Sequence, residues 1–173
     1  MSDEAIKVLK ERRSIRSFKP EQVPKKILDE VLQVATYAPT GKGRQVPLIV
    51  AVQDKDTLDK LRKMNAKVLG TDKDPYYGAP SIVLVFSPVD GNTYVEDGSA
   101  VLTYICVAAH AYGLGSCWIN RERQMFESDE GKALMAEWGI PEKYAGIGGV
   151  SIGYKAEDDP APPPRKEDYI RWL

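Results

Sequence analysis

From Val95 to Tyr112 the chain reads VEDGSAVLTYICVAAHAY, and this stretch decides the kind of fold that follows. Glu96 and Asp97 place negative charge in its first turn, where the amide end of a helix favours it. Everything after them is apolar or small until Gly113. A helix that is apolar nearly all round has to be covered on several sides, so the pattern predicts a central helix.

Downstream, GLGSCWINR (Gly113 to Arg121) ends that helix and gives a short strand from Ser116 to Ile119, with Trp118 and Asn120 presented at its edge. Ser128 or Asp129 then opens a helix that Gly139 and Pro141 close, and Gly146 to Tyr154 reads as a glycine-spaced strand. Upstream lie two apolar runs, Ser81 to Phe86 and Leu48 to Val52, each read as a strand covered on both faces. The helix between them shows a core face of Leu58, Leu61, Met64 and Val68, with Gly70 placed for a left-handed C-terminal cap. Pro24 opens an earlier helix carrying Ile27, Val31, Val34, Ala35 and Ala38, which Pro39 ends. Ser2 or Asp3 caps a first helix through about Arg12, with Ile6 and Leu9 on one face.

Strands and helices alternate without a repeat, which predicts a layered α+β domain over residues 1–173. Its exception is a proline-rich arm at about 155–173, EDDPAPPPRKEDYIRWL in its last 17 residues. The arm ends in Tyr169, Ile170, Trp172 and Leu173, which a solvated tail does not favour, so it is expected to dock. An apolar central helix and an apolar arm are more surface than one small domain covers, and a symmetric partner is a natural solution beside a simple monomer core.

With 24 Lys and Arg against 25 Asp and Glu, no global field draws the chain to nucleic acid or anionic lipid, and small-molecule partners are expected. The first residues carry Asp3 and Glu4 without a secretory apolar run, and no stretch approaches a membrane span, so a cytoplasmic protein is expected. Cys106 and Cys117 form no CxxC and have no metal-ligand spacing; they read as reduced thiols, and no metal site is expected.

Catalytic side chains are scarce. There is one histidine, His110, near the C-terminal end of the apolar helix, where the dipole favours an imidazolium and a structural duty is expected. GxSxG, HExxH and Walker patterns are absent, so demanding chemistry needs a borrowed group. The segment RRSIRSF (Arg12 to Phe18) is the candidate holder. In an extended chain Arg12, Ser14 and Arg16 share one side, and two guanidinium forks with a hydroxyl between them suit a phosphomonoester. The same residues also suit a solvated basic turn paired with surface carboxylates. Arg165 and Lys166 form a second basic pair after the prolines. APTGKGRQVP (Ala38 to Pro47) is a small, glycine-rich loop between helix and strand, either a close approach for a flat ligand or a tight turn. It is not a dinucleotide fingerprint, which follows a strand and opens a helix.

Taken in this order, these segments resemble the nitroreductase family over nearly the whole chain. The resemblance implies a central, mainly antiparallel sheet flanked by helices, in an intertwined homodimer with two FMN sites at the subunit interface. It implies that Arg12, Arg13, Ser14 and Arg16 hold the FMN phosphate and ribityl end, with Arg165 and Lys166 as a terminal clamp. Pro39, Thr40, Gly41 and Gln45 would reach the flavin of the partner subunit. Gly43 stands in place of the more usual Asn, and Val46 and Pro47 where Gln-Pro and an aromatic are common. Cys117, Trp118, Ile119 and Asn120 would line the ring, a backbone N–H near Asn120 or Arg121 facing flavin N5. The implied activity passes hydride from NAD(P)H through FMN to an electron-poor acceptor such as a nitroaromatic or quinone, with no catalytic side chain. Reductive dehalogenation, flavin cleavage or a non-enzymatic FMN carrier or sensor are alternatives on the same fold.

Overall fold

The computed structural model describes residues 2–173; the side chain of Ser2, one of the two candidate caps of the first helix, lies outside the described residues. The helices are α1 (Ser2–Glu11), α2 (Lys25–Ala35), α3 (Lys55–Leu69), α4 (Tyr94–Ala111), α5 (Glu122–Glu127) and α6 (Asp129–Glu137). The strands are β1 (Leu48–Val52), β2 (Ser81–Pro88), β3 (Gly115–Ile119) and β4 (Tyr144–Gly153). They form one antiparallel sheet in the order β1-β2-β4-β3.

Strand alternation divides the core between the two faces of that sheet. Val83, Val85, Val150 and Ile152 face α2 and α4, where Val31, Leu102, Ile105 and Ala109 close the layer. Ile82, Leu84, Phe86, Cys117 and Ile119 face α3, α5 and α6, against Leu61, Met64, Met125, Phe126 and Leu134. The strand β2 is buried along its whole length, as its unbroken apolar run requires. On the first face α4 packs against β2, β3, β4 and two helices, the central position its composition demanded.

Chain punctuation fixes the element ends. The Asp54 side chain accepts the Thr57 N–H at the head of α3, Gly70 closes it at φ 71°, and Ser128 caps α6. Four expectations change. Leu48 to Val52 is an edge strand paired only with β2, so Leu48 and Ala51 are exposed rather than covered on both faces. Val68 sits in the last turn of α3 and is exposed, while the buried position after Met64 is Asn65. Ile6 and Leu9 of α1 are also exposed. A short helix, α5, is inserted where the sequence suggested none. The arm is tied at its root, by the Ala156 N–H to the Ser17 carbonyl and the Lys155–Asp159 ion pair, and beyond it Tyr169, Ile170, Trp172 and Leu173 are exposed.

Leu61 is fully buried in the α3 layer. Replacing it with Ala leaves a cavity and is expected to cost about 2–5 kcal/mol, lowering the melting temperature by roughly 5–15 °C. A calorimetric scan in which Leu61→Ala melts with the unmodified protein contradicts this packing.

Candidate functional site

The segment from Arg12 to Phe18 leaves α1 and runs extended along the outer edge of β3. The Ile15 N–H donates to the Ser116 carbonyl at 2.9 Å, and Ser14 bridges Ser116 in parallel fashion. The chain then crosses to the end of β4, where Phe18 bridges Lys155 and the Lys19 N–H donates to the Tyr154 carbonyl. Alternation along this path sends Ile15 into the core. Arg12, Ser14 and Arg16 meet instead around Cys117. Burial pushes the Cys117 thiol up, while Arg16, Arg12 and a Ser14 hydrogen bond draw it back. Arg16 also lies over the Tyr77 ring, 5.8 Å from its centroid.

Arg13 behaves differently. Its Nη1 donates to the carbonyls of Lys10 and Arg12 at 2.8 and 2.7 Å, so it caps the end of α1 and stands apart from the other three. Among the described residues none of Arg12, Arg13 and Arg16 forms an ion pair with a carboxylate. The paired basic turn is therefore not what the chain builds. Two guanidinium forks are left free beside an open strand edge.

Along that edge only parts of the sequence-predicted ring contact are accessible. The Cys117 and Ile119 side chains are buried beneath α3 and α5, so these residues offer backbone alone. Trp118 points to the other face, 40% exposed, its indole nitrogen against the site of Gly148. Asn120 is exposed, and Arg121 adopts a left-handed conformation at φ 87° as it heads α5. A non-glycine residue held there costs on the order of 1–3 kcal/mol unless its surroundings over-determine it.

They do. The Arg121 Nε donates to Asn65 Oδ1 at 2.8 Å, and Asn65 Nδ2 donates to the Asn120 carbonyl at 3.0 Å. The same Nδ2 reaches the Tyr76 hydroxyl at 3.2 Å, and that hydroxyl donates to Glu122 Oε1 at 2.8 Å. Asn65, Tyr76 and Glu122 are all buried, Glu122 to 1% exposure, and its Oε2 has no hydrogen-bond partner. Burial raises the Glu122 carboxyl to about 7, against the opposing pull of Tyr76, its own N–H, the Arg121 charge and the Gly149 N–H. This cluster was missed from sequence. The signals were an Asn beside the apolar face of α3 and a Glu directly before the Met125–Phe126 pair, both easily taken for solvated positions.

The glycine-rich loop lies elsewhere. The Gly41 N–H donates to Asp97 Oδ1 at 2.8 Å, Thr93 donates to the other oxygen of Asp97, and the Gln45 N–H donates to Thr40 Oγ1 at 3.0 Å. Lys42, Gly43 and Gln45 all have positive φ, and Pro39 is exposed. Asp97 stands at the N-terminal end of α4, whereas Arg12 acts on Cys106 and His110 near its C-terminal end. From position 97 to 110 a helix rises about 20 Å, so one chain does not bring Thr40, Gly41 and Gln45 to Arg12, Ser14 and Arg16. Arg165 and Lys166 are exposed in the arm, with no hydrogen bond or ion pair to that trio among the described residues. His110 also departs from expectation: burial first, then Lys155 and Arg12, hold it below the usual histidine value, so the neutral imidazole is favoured over the dipole-stabilised cation.

Comparison with known proteins agrees with this geometry. The Nitroreductase family model matches residues 9–154. An Archaeoglobus fulgidus protein described as an NADH dehydrogenase/NAD(P)H nitroreductase is 29% identical over 162 residues, 90% of this chain and 88% of that one. The crystal structure of a nitroreductase with bound FMN from Bacteroides fragilis superposes with a TM-score of 0.90 at 26% identity, covering 98% of both chains. Iodotyrosine deiodinase 1 of Homo sapiens is 31% identical over 111 residues, 52% of this chain and 38% of that protein.

The Glu122 carboxyl makes stability depend on pH. Its folded-state value of about 7 lies above the ordinary 4.5, so the folded protein holds the proton more tightly than the unfolded chain. The stabilisation is full below about pH 4.5, declines as pH rises toward 7 and is absent above it, at most about 3 kcal/mol in all. Glu122→Gln removes the titration. Between pH 5 and 8 the melting temperature of the unmodified protein is expected to fall by roughly 5–10 °C relative to that variant. A gap that stays constant with pH contradicts the raised carboxyl.

Proposed function

Since the chain belongs to the nitroreductase family, we propose that it is an FMN-dependent oxidoreductase that takes hydride from NAD(P)H and delivers it to an electron-poor acceptor such as a nitroaromatic or quinone. One observation carries the reading: Arg12, Ser14 and Arg16 converge, free of carboxylates, at the open edge of β3. Guanidinium forks and a hydroxyl match the oxygens of a phosphomonoester. From Ser116, where the basic segment is fastened, to Asn120 a strand rises about 13 Å. That span suits an elongated ligand with a phosphate at one end and a flat ring at the other. The residues present therefore fit FMN.

Bound FMN supplies hydride acceptance and donation at N5, chemistry that no side chain here provides. The chain's own part is to grip and to orient. Arg12 and Arg16 neutralise the phosphate and Ser14 adds a short donor, while the left-handed Asn120–Arg121 peptide presents its backbone to the ring. Arg13 is left to the α1 terminus. Neither cysteine takes part: burial raises Cys106 to about 11, which keeps it a thiol.

The site is proposed to be completed by a second copy. Pro39, Thr40, Gly41 and Gln45 sit about 20 Å from the basic trio along α4, too far to share one ring within a chain. In a symmetric dimer each loop reaches the partner's flavin, and the strained backbone at Lys42 and Gln45 holds it for that approach. Exposed Ile6 and Leu9 on α1, Val95 and Tyr104 on α4, and the apolar arm give such a dimer its surface. Arg165 and Lys166 would close on the phosphate when the arm docks. Deiodination is the weaker reading, because the deiodinase match covers only 52% of this chain.

The purified protein is expected to be yellow, to lose its visible flavin band on anaerobic addition of NAD(P)H, and to regain it when a nitroaromatic or quinone is added. Arg16→Ala should weaken FMN binding about 10- to 100-fold, the worth of a charge-assisted hydrogen bond. A preparation that takes up no FMN, or an Arg16→Ala variant that retains it equally, contradicts the assignment.

A further inference from the structure

The polar cluster beneath the strand end is costly. A buried carboxyl with one orphaned oxygen stabilises a fold less than an apolar residue of similar size would. Glu122 nevertheless points back under the sheet, into space that exists only because position 149 is glycine: a Cβ there would stand 2.6 Å from its Oε1. From that carboxyl an unbroken chain of donors runs through Tyr76 to Asn65, and Asn65 holds both the Asn120 carbonyl and the Arg121 guanidinium. Its far end is the one strained peptide on the candidate cofactor edge.

We propose that Glu122 is a positioning residue, which acts through Tyr76 and Asn65 to hold the Asn120–Arg121 peptide in its left-handed turn and so presents that peptide to the cofactor ring. The inference rests on the reading that this peptide faces FMN. Without the relay the strained turn relaxes in the free protein and has to be re-formed on binding, which weakens retention. Ionisation matters as well, since a carboxylate accepts the Tyr76 hydrogen bond more strongly than an acid or an amide does. The charged or titratable groups against Glu122 are Tyr76, from the α3–β2 connection, and Arg121, at the head of its own helix; Gly149 of β4 and Leu84 of β2 cover it without charge.

The test dilutes FMN-loaded protein and follows the fluorescence of released flavin to obtain Kd, with melting curves as the check on folding. Glu122→Leu and Asn65→Ala are each expected to raise Kd about tenfold, and the double variant no further than the worse single one, because both break the same relay. Either change combined with Arg16→Ala should multiply. Glu122→Gln is expected to match the unmodified protein near pH 5.5 and to bind about fivefold more weakly near pH 8.5. It also serves if Glu122→Leu does not fold. Multiplying effects of the Glu122 and Asn65 changes, or a Glu122→Gln ratio flat with pH, overturns the relay. If Arg16→Ala raises Kd while neither Glu122→Leu nor Asn65→Ala does, the relay fails and the cofactor site stands; if Arg16→Ala is silent too, the site itself is wrong.

Discussion

The hydrogen bond from the Ile15 N–H to the Ser116 carbonyl is the constraint on which the rest depends. It fastens an extended basic segment to the edge of a short strand and fixes its register. With Ile15 drawn into the core, strand alternation leaves Ser14 and Arg16 on the opposite side, facing Cys117 together with Arg12. A one-residue slip would bury the cations and expose the isoleucine, so the packing of one apolar side chain also selects the ligand-facing set. The cations stay free because no carboxylate lies within ion-pairing reach among the described residues.

Local pattern carried much of this into view. The apolar run of α4, the buried run of β2, Gly70 as a left-handed cap and the alternation in RRSIRSF are all encoded within a few residues of themselves. What the sequence hid was long-range. Tyr76 meets Glu122 across 46 positions and Asp97 meets the Gly41 loop across 56, and no local period reports such pairs. Helix α5 escaped because it is six residues long and opens on a left-handed Arg121 without a side-chain cap. An apolar run also does not state how many neighbours its strand will have, which is why β1 was expected to be covered and proved to be an edge.

The candidate site shows the same division. Arg12, Ser14 and Arg16 were legible as a triplet and are brought together, while Arg13, their neighbour in sequence, is turned away by the unsatisfied carbonyls at the end of α1. The loop and the arm were legible as separate motifs, and the single chain leaves them apart from the triplet. Their exposure and the length of α4 make a second copy the economical way to complete the site, with the sheet edge from one subunit and the glycine-rich loop from the other.

The most direct measurement compares the affinity of the flavin-free protein for FMN with that for riboflavin, which keeps the ring and ribityl chain and lacks only the phosphate. A site built on free guanidinium groups predicts a preference for FMN of about 30-fold or more, shrinking as salt is raised. Equal binding of the two flavins would contradict the central claim, because the arginines at the edge of β3 would then hold no phosphate.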